Sequence, residues 1–502
     1  RLRPGGEVPP GGLPAVPMVP SMPGGLLVVL LRAVILLGML IAFSVSLGSS
    51  LVRDQRLGLT KVASVGRDPG VRVLLTSRRE VDRQIQTDLT HEKLTLDVLR
   101  PCWLVSPDQP DNKAYTLEVG PGEQVLIKPD ADGLVFSSQT WGKEERWPVT
   151  RLRLQPRETG LDDESARTPP GRLEPTRFEE RKGQAVFALN GRRYRGTLEI
   201  IYKGPKQLTA LNLLPIDAYV EGVIAIEMKA SYPLEALKAQ AIASRGYAYA
   251  TAWRAMAGKK PYDLTDSLDD QDYRGAGHGG DFVVQAVRET AGQILVTPKL
   301  RQPFVPFFSA SDGGATESAD ALAPGAKDVT GREAIAGIMP VQPDPFCQRA
   351  AEALGYLGTH WEQTVELRPE DIQSRLQEWC KARGDHSKIG YVTELAIAAQ
   401  DDRSKRVQKV AISYTPLKRI EMTGHEFRMM IGPHLVRSTL WLKLESKRRA
   451  GDRVIKDWVI TQRGWGHGVG MSQISAWAMA KDGFRHQRIL QVFYPGAEIQ
   501  SW

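Results

Sequence analysis

Glu227 is the residue in this chain whose neighbours best suit it to acid–base chemistry. It stands between Ile226 and Met228, at the end of a stretch with helical spacing. A carboxylate taken out of water loses hydration that its neutral form does not need, so burial raises its pKa. That is the property a general acid needs to keep its proton near neutral pH. Downstream, Lys238 and Arg245 are seven residues apart, so they share one helix face, with Ala241 and Ile242 between them. A carboxylate at a helix end, followed by two cations on one face, could line a groove for a polar polymer. The same residues also read as a solvated glutamate and an ordinary basic face.

The elements that must hold these groups run from Leu211 to Arg254. The first helix has Asp217 as its N-cap behind Pro215, an apolar set at Val220, Val223 and Ile224, and an end near Lys229–Ser231. Pro233 restarts the chain, with Ser231 as candidate cap of a second helix. Alanines at 236, 239, 241, 243 and 248 let another element approach that helix closely. Near the C-terminus, GWGHGVGMSQ sets four glycines around Trp465 and His467 and opens a helix at about Ser472. Glycine turns let backbone approach a ligand, helix-start amides can bind a polar group, and Trp465 could stack on a sugar. A plain tight turn with a structural histidine is the other reading of the same residues.

Both stretches resemble the stage II sporulation protein D (SpoIID) family, which includes the LytB-type amidase enhancers. The residues that carry the resemblance are LPIDAYVEGVIAIEMKASYPLEALKAQAIASRGYA and, over 200 residues later, GWGHGVGMSQISAWAMAKDGFRHQRILQVFYPGAEI. It covers about Val186 to Trp502 and weakens in the middle. The fold it implies is α+β, with two central helices packed on mixed β-structure, here preceded by a small all-β region. It implies that Glu227, in the EM pair, is the catalytic glutamate, and that Lys238 and Arg245 position Glu227 or bind glycan. Trp465 and His467 are expected at the substrate groove. The activity implied is lytic cleavage of the MurNAc-β-1,4-GlcNAc bond of peptidoglycan strands, denuded of stem peptide, leaving 1,6-anhydro ends. Glycoside hydrolases usually need two carboxyl groups. A lytic enzyme needs one, because the 6-hydroxyl of the sugar is the nucleophile. The alternative is a non-catalytic amidase enhancer or glycan-binding wall protein, with a cell-wall amidase as partner.

The family usually carries a cysteine or histidine near a QxYxG sequence, and some members bind zinc there. Here Ser267 and Leu268 stand at that place, and Phe308 replaces the histidine of a YHSTSGG-like run, FFSASDGG. Both soft ligands are missing, so no metal and no cofactor is expected. Asp266, Asp269, Asp270 and Asp272 read as a solvated acidic loop.

The 502 residues suffice for two or three cores, and 42% hydrophobic with 25% charged residues is a globular balance. The net charge of +8 suits an anionic partner. No basic run with interleaved aromatics favours nucleic acid, which leaves phospholipid or a wall polymer. Cys102, Cys347 and Cys380 form no disulfide framework and no zinc pattern. Cys347 and Cys380 either pair or stay as buried thiols.

Residues 1–25 read as a disordered Pro/Gly-rich tail. Residues 26–48, with Arg32 ahead of an uncharged run, read as a signal peptide or membrane anchor. The bulk of the chain is therefore expected outside the cytoplasmic membrane, anchored or secreted to the wall or periplasm. Short alternating runs then predict an N-terminal β region and linker over 60–182. The SpoIID-like domain follows at 183–502: core motif 205–320, variable insert 321–385 and C-terminal part 386–502.

Overall fold

A computed structural model describes residues 70–81, 84–110, 112–157, 185–267, 269–448 and 456–501. The tail at 1–25, the apolar segment at 26–48 and most of the charged stretch Gln155–Lys182 lie outside the described residues. The fold is α+β, as the resemblance implies.

Period-two alternation sets the strands. In Leu94–Val98 the buried side chains are Leu94, Leu96 and Val98, with Thr95 and Asp97 partly open. Two sheets result. The seven-stranded one runs Leu264–Thr265, Gly70–Leu75, Gln207–Pro215, Thr197–Gly204, Arg151–Pro156, Cys102–Val105, Thr116–Val119. The six-stranded one runs Arg192–Tyr194, Phe187–Leu189, Leu94–Val98, Gln124–Pro129, Leu134–Ser138, Glu144–Trp147. The two strands that lead into the helices sit in the middle of the larger sheet. The β region and the helical core therefore share strand ladders and one apolar core.

Helix α1 spans Ile216–Glu227 and α2 spans Leu234–Ala257. Val220, Val223 and Ile224 are fully buried, each worth ~1.5–3 kcal/mol of transfer from water. The caps differ from expectation. Pro215 and Pro233 hold the N-cap positions with no side-chain bond, and Ser231 caps nothing. Asp217 lies inside the first turn, where its carboxylate suits the positive end of the helix and takes an arginine instead. The buried alanines of α2 let four helices meet it: α1, α3 (Asp281–Glu289), α7 (Gln473–Lys481) and α8 (His486–Phe493).

A second core lies in the C-terminal part. Glu362–Leu367, Lys456–Arg463 and Leu440–Arg448 form one three-stranded sheet; Val392–Gln400, Val407–Tyr414 and Lys418–Thr423 form another. Helices α5 (Pro369–Lys381) and α6 (Gly424–Ile431) pack on them, and α4 (Cys347–Ala353) packs on α7. A reciprocal Thr423–Glu426 capping box starts α6. All three cysteines are free and buried, so Cys347 and Cys380 do not pair. No helix among the described residues is long and apolar enough to cross a membrane.

Candidate active site

Glu227 ends α1 and lines a cavity of about 800 Å³. Its place follows from chain geometry: Met228 leaves the helix in extended conformation and is itself buried, so the last side chain of α1 faces the opening. One carboxylate oxygen accepts the Asp272 backbone N–H and the other accepts Gln473 Nε2, each at 3.2 Å. No cation pairs with it among the described residues. Burial raises its pKa, and the two hydrogen bonds only partly oppose that; the Asp272 charge adds to the rise. The negative end of α1 works in the same direction. The residue keeps some surface toward the cavity while its surroundings exclude most water. A carboxyl with a raised pKa is what general-acid chemistry requires.

The second motif is brought to the first. Gly464, Gly466, Gly468 and Gly470 all have positive φ, and a Cβ on Gly466 would run into Ser309. The turn therefore lies against the Phe307–Ala310 loop and aims Gln473, first residue of α7, at Glu227. Trp465 and His467 line the same cavity as Glu227. One face of Trp465 is covered by the Arg437 guanidinium, 4.2 Å above the ring. His467 Nδ1 accepts the Val469 N–H at 3.0 Å, and burial, then His425 and Arg428, hold its pKa well down, so it is neutral.

Lys238 and Arg245 do not line the cavity. Their common face turns toward α1 and α3, because the alanine stripe of α2 is covered there. Arg245 is fully buried, with Nε on Asp217 at 2.6 Å and further bonds to the carbonyls of Val287 and Gln293. Lys238 Nζ sits 2.7 Å from both Glu235 and Glu289. Both tie helices together, and neither touches Glu227.

The acidic loop is also not simply solvated. Asp266 is buried and accepts from the Thr76 backbone N–H. Asp270 lines the cavity, accepts from Thr265 N at 2.8 Å and from the Tyr247 hydroxyl at 3.3 Å, and has its pKa raised by burial. Asp269, exposed, lines it too. Opposite stand His425, Arg428 and Met429 of α6 and, further out, Trp379 and Arg383. Sequence reasoning gave no role to Gln473, His425 or Arg428, although Gln473 lies inside GWGHGVGMSQ and His425 and Arg428 inside HEFRMMIG, two runs that resemble family elements.

At the positions where zinc ligands were sought, Ser267 Oγ is engaged with Thr265 and Asp269, and Phe308 offers a ring. These residues do not fit zinc. Asp312, Asp344 and Cys347 are buried together elsewhere, with donor atoms within 4.8 Å of one another. Arg406 already supplies positive charge there, and contact with Asp312 raises Asp344 further after burial, as for carboxyls sharing a proton.

Residues 205–296 match the family model described as stage II sporulation protein, and 359–470 match one described as a domain of unknown function. An uncharacterised protein of Brachyspira hyodysenteriae is 30% identical over 65% of this chain and 76% of its own length. The chain belongs to the SpoIID family. Within it, the stage II sporulation protein D of Bacillus subtilis is 27% identical over 57% of this chain and 75% of its own length. The amidase enhancer of Bacillus subtilis is 26% identical over 63% of this chain, which spans 45% of that relative. The SpoIID match ends before the second core, so the family segment holds Glu227 and the unknown domain holds the opposite wall and Trp465.

Proposed function

We propose that this protein works on the cell wall from outside the cytoplasmic membrane, as a peptidoglycan lytic transglycosylase with Glu227 as its acid and base. The observation that carries the reading is a glutamate with a raised pKa and, among the described residues, no cationic partner, lining a cavity large enough for several sugars. The protonated Glu227 donates to the glycosidic oxygen as the C1–O4 bond of the MurNAc-GlcNAc link breaks. The 6-hydroxyl of the same muramic acid then bonds to C1, and its proton returns to the Glu227 carboxylate. The product is a 1,6-anhydro sugar, and no water is consumed. Gln473 and the Asp272 amide orient the carboxyl group.

A second reading, a non-catalytic amidase enhancer that holds glycan or a wall amidase, is favoured by the name of one relative and uses the same cavity. The two part on product. Purified chain is incubated with glycan strands, with and without stem peptides, and mass spectrometry scores anhydro ends. The lytic reading expects them from the parent and not from Glu227→Gln. The enhancer reading expects none from either and equal stimulation of an amidase by both.

A further inference from the structure

The cavity wall built by α6 carries a charge for which the described residues supply no counter-ion. Arg428 is 8% exposed and lines the cavity. Its Nε donates to the Arg437 carbonyl at 3.0 Å, and Nη1 lies 3.6 Å from the Met429 sulfur. Among the described residues no carboxylate pairs with it. Burial, then repulsion from Arg406, pushes its pKa down to about 10. Arg406 shows the contrast: equally buried, it bonds the Ser438 and Thr439 hydroxyls and the Asp312 carbonyl, with Asp312 and Glu317 as counter-charges. Arg437, whose carbonyl Arg428 holds, stacks on Trp465 and donates to the carbonyls of His434 and Thr359, again without a carboxylate partner.

An uncompensated buried cation costs several kcal/mol. The compensation is missing on the side that faces the cavity. The neighbouring imidazoles do not compete for an anion, because His425, brought down to about 4 by burial and Arg428, and His467 are both neutral. A guanidinium fork in such a place suits a planar carboxylate, which it binds through paired hydrogen bonds.

We infer that Arg428, backed by Arg437 stacked on the cavity-lining Trp465, is a subsite that reads a carboxylate of the glycan lying over Glu227. The inference rests on the glycan reading of the cavity. Peptidoglycan offers this group from two sources: the lactyl carboxylate of muramic acid, free once the stem peptide is removed, and the carboxylates of the stem peptide itself.

The test uses the full chain with Glu227→Gln, so that bound strands are not consumed. Calorimetric titration compares stripped strands, the same strands with lactyl carboxylates converted to methylamides, and intact strands bearing stem peptides. The stripped acid strand is expected to bind roughly tenfold or more tighter than its amide. Arg428→Met should abolish that preference while leaving amide affinity unchanged, and Arg428→Lys should keep part of it. Tight binding of intact strands that also depends on Arg428 would assign the carboxylate to the stem peptide and still support the subsite. Because Arg428→Met removes an unpaired buried charge, it should melt no lower than its parent. Equal affinity for acid and amide strands together with intact-strand binding that Arg428→Met leaves unchanged overturns the inference, and so does a preference that survives Arg428→Met. Anhydro release by the unaltered chain separates the two claims. Release with binding that Arg428→Met leaves unchanged on every strand would sink the subsite and leave Glu227 standing; Arg428-dependent binding without release would do the reverse.

Discussion

Buried charges are handled differently in two regions of this molecule. In the large sheet and between the central helices they are matched. Glu199 lies between Arg151, at 2.7 Å, and Arg153; Arg245 holds Asp217; Lys238 holds Glu235 and Glu289. Around the cavity the exposed Arg383 pairs with Glu426 at 3.5 Å, but the two more enclosed charges are unmatched among the described residues. Glu227 receives only neutral donors, and Arg428 meets a carbonyl and a thioether. Matched charges fix how elements sit against one another. Unmatched ones weaken the fold, and here both line one cavity, where a ligand can complete them. The difference separates residues kept for architecture from residues kept for chemistry, even when type and burial are alike.

The sharpest way to break that contrast is Glu227→Gln. The amide is nearly isosteric but cannot donate and then accept a proton, so turnover should drop ~100- to 10,000-fold, with the melting temperature no lower. A loss of stability with rate per folded molecule intact would move Glu227 into the architectural class. Arg245→Ala is the mirror image. It removes a fully buried guanidinium that joins Asp217 to the Val287 and Gln293 carbonyls, so a loss of ~3–5 kcal/mol is expected in urea denaturation. A small loss there would show that the matched pairs do not bear the fold.

Stability against pH sharpens the comparison further. Glu227 has a folded pKa above its ordinary value of 4.5, so the folded chain binds more protons than the unfolded one between those two values. Its contribution is therefore largest at low pH and declines as pH rises through the raised pKa; Glu227→Gln should flatten that decline. Glu235 runs the other way. Burial pushes its carboxyl up, but Lys238 and then His486 bring it to about 2. Its stabilisation is present above about 4.5 and is lost as pH falls toward about 2. Lys238→Met should shrink that acid-side loss by roughly 1 kcal/mol, read from urea midpoints in paired pH series. The smallest expected effect is that of chelation. Anhydro release should be unchanged by strong chelators, since Ser267 and Phe308 stand where soft ligands would; loss restored by zinc would contradict this.

The strands and both central helices were legible because periodicity reports local structure: Leu94, Leu96 and Val98 alternate, and Val220, Val223 and Ile224 recur by helical turn. What periodicity cannot report is which neighbour covers a face. Lys238 and Arg245 do share a face, but α1 and α3 cover it, which only the long-range packing decides. Asp217 looked like a cap because its side-chain partner, Arg245, is 28 residues away in sequence. The Glu227 and Gln473 contact spans 246 residues, so only the shared family resemblance of the two motifs hinted at it. Arg428 lies in HEFRMMIG, a run that resembles a family element, but nothing in the run shows that its arginine is buried beside a cavity.

Cleavage in water enriched in oxygen-18 tests the central claim most directly, because the cavity also contains Asp269 and Asp270, which could serve a hydrolase as a second carboxyl. A lytic reaction closes the ring with the sugar's own 6-hydroxyl, so the new muramic acid ends should be anhydro and carry no label. Reducing ends bearing one heavy oxygen would contradict the account and make water the nucleophile.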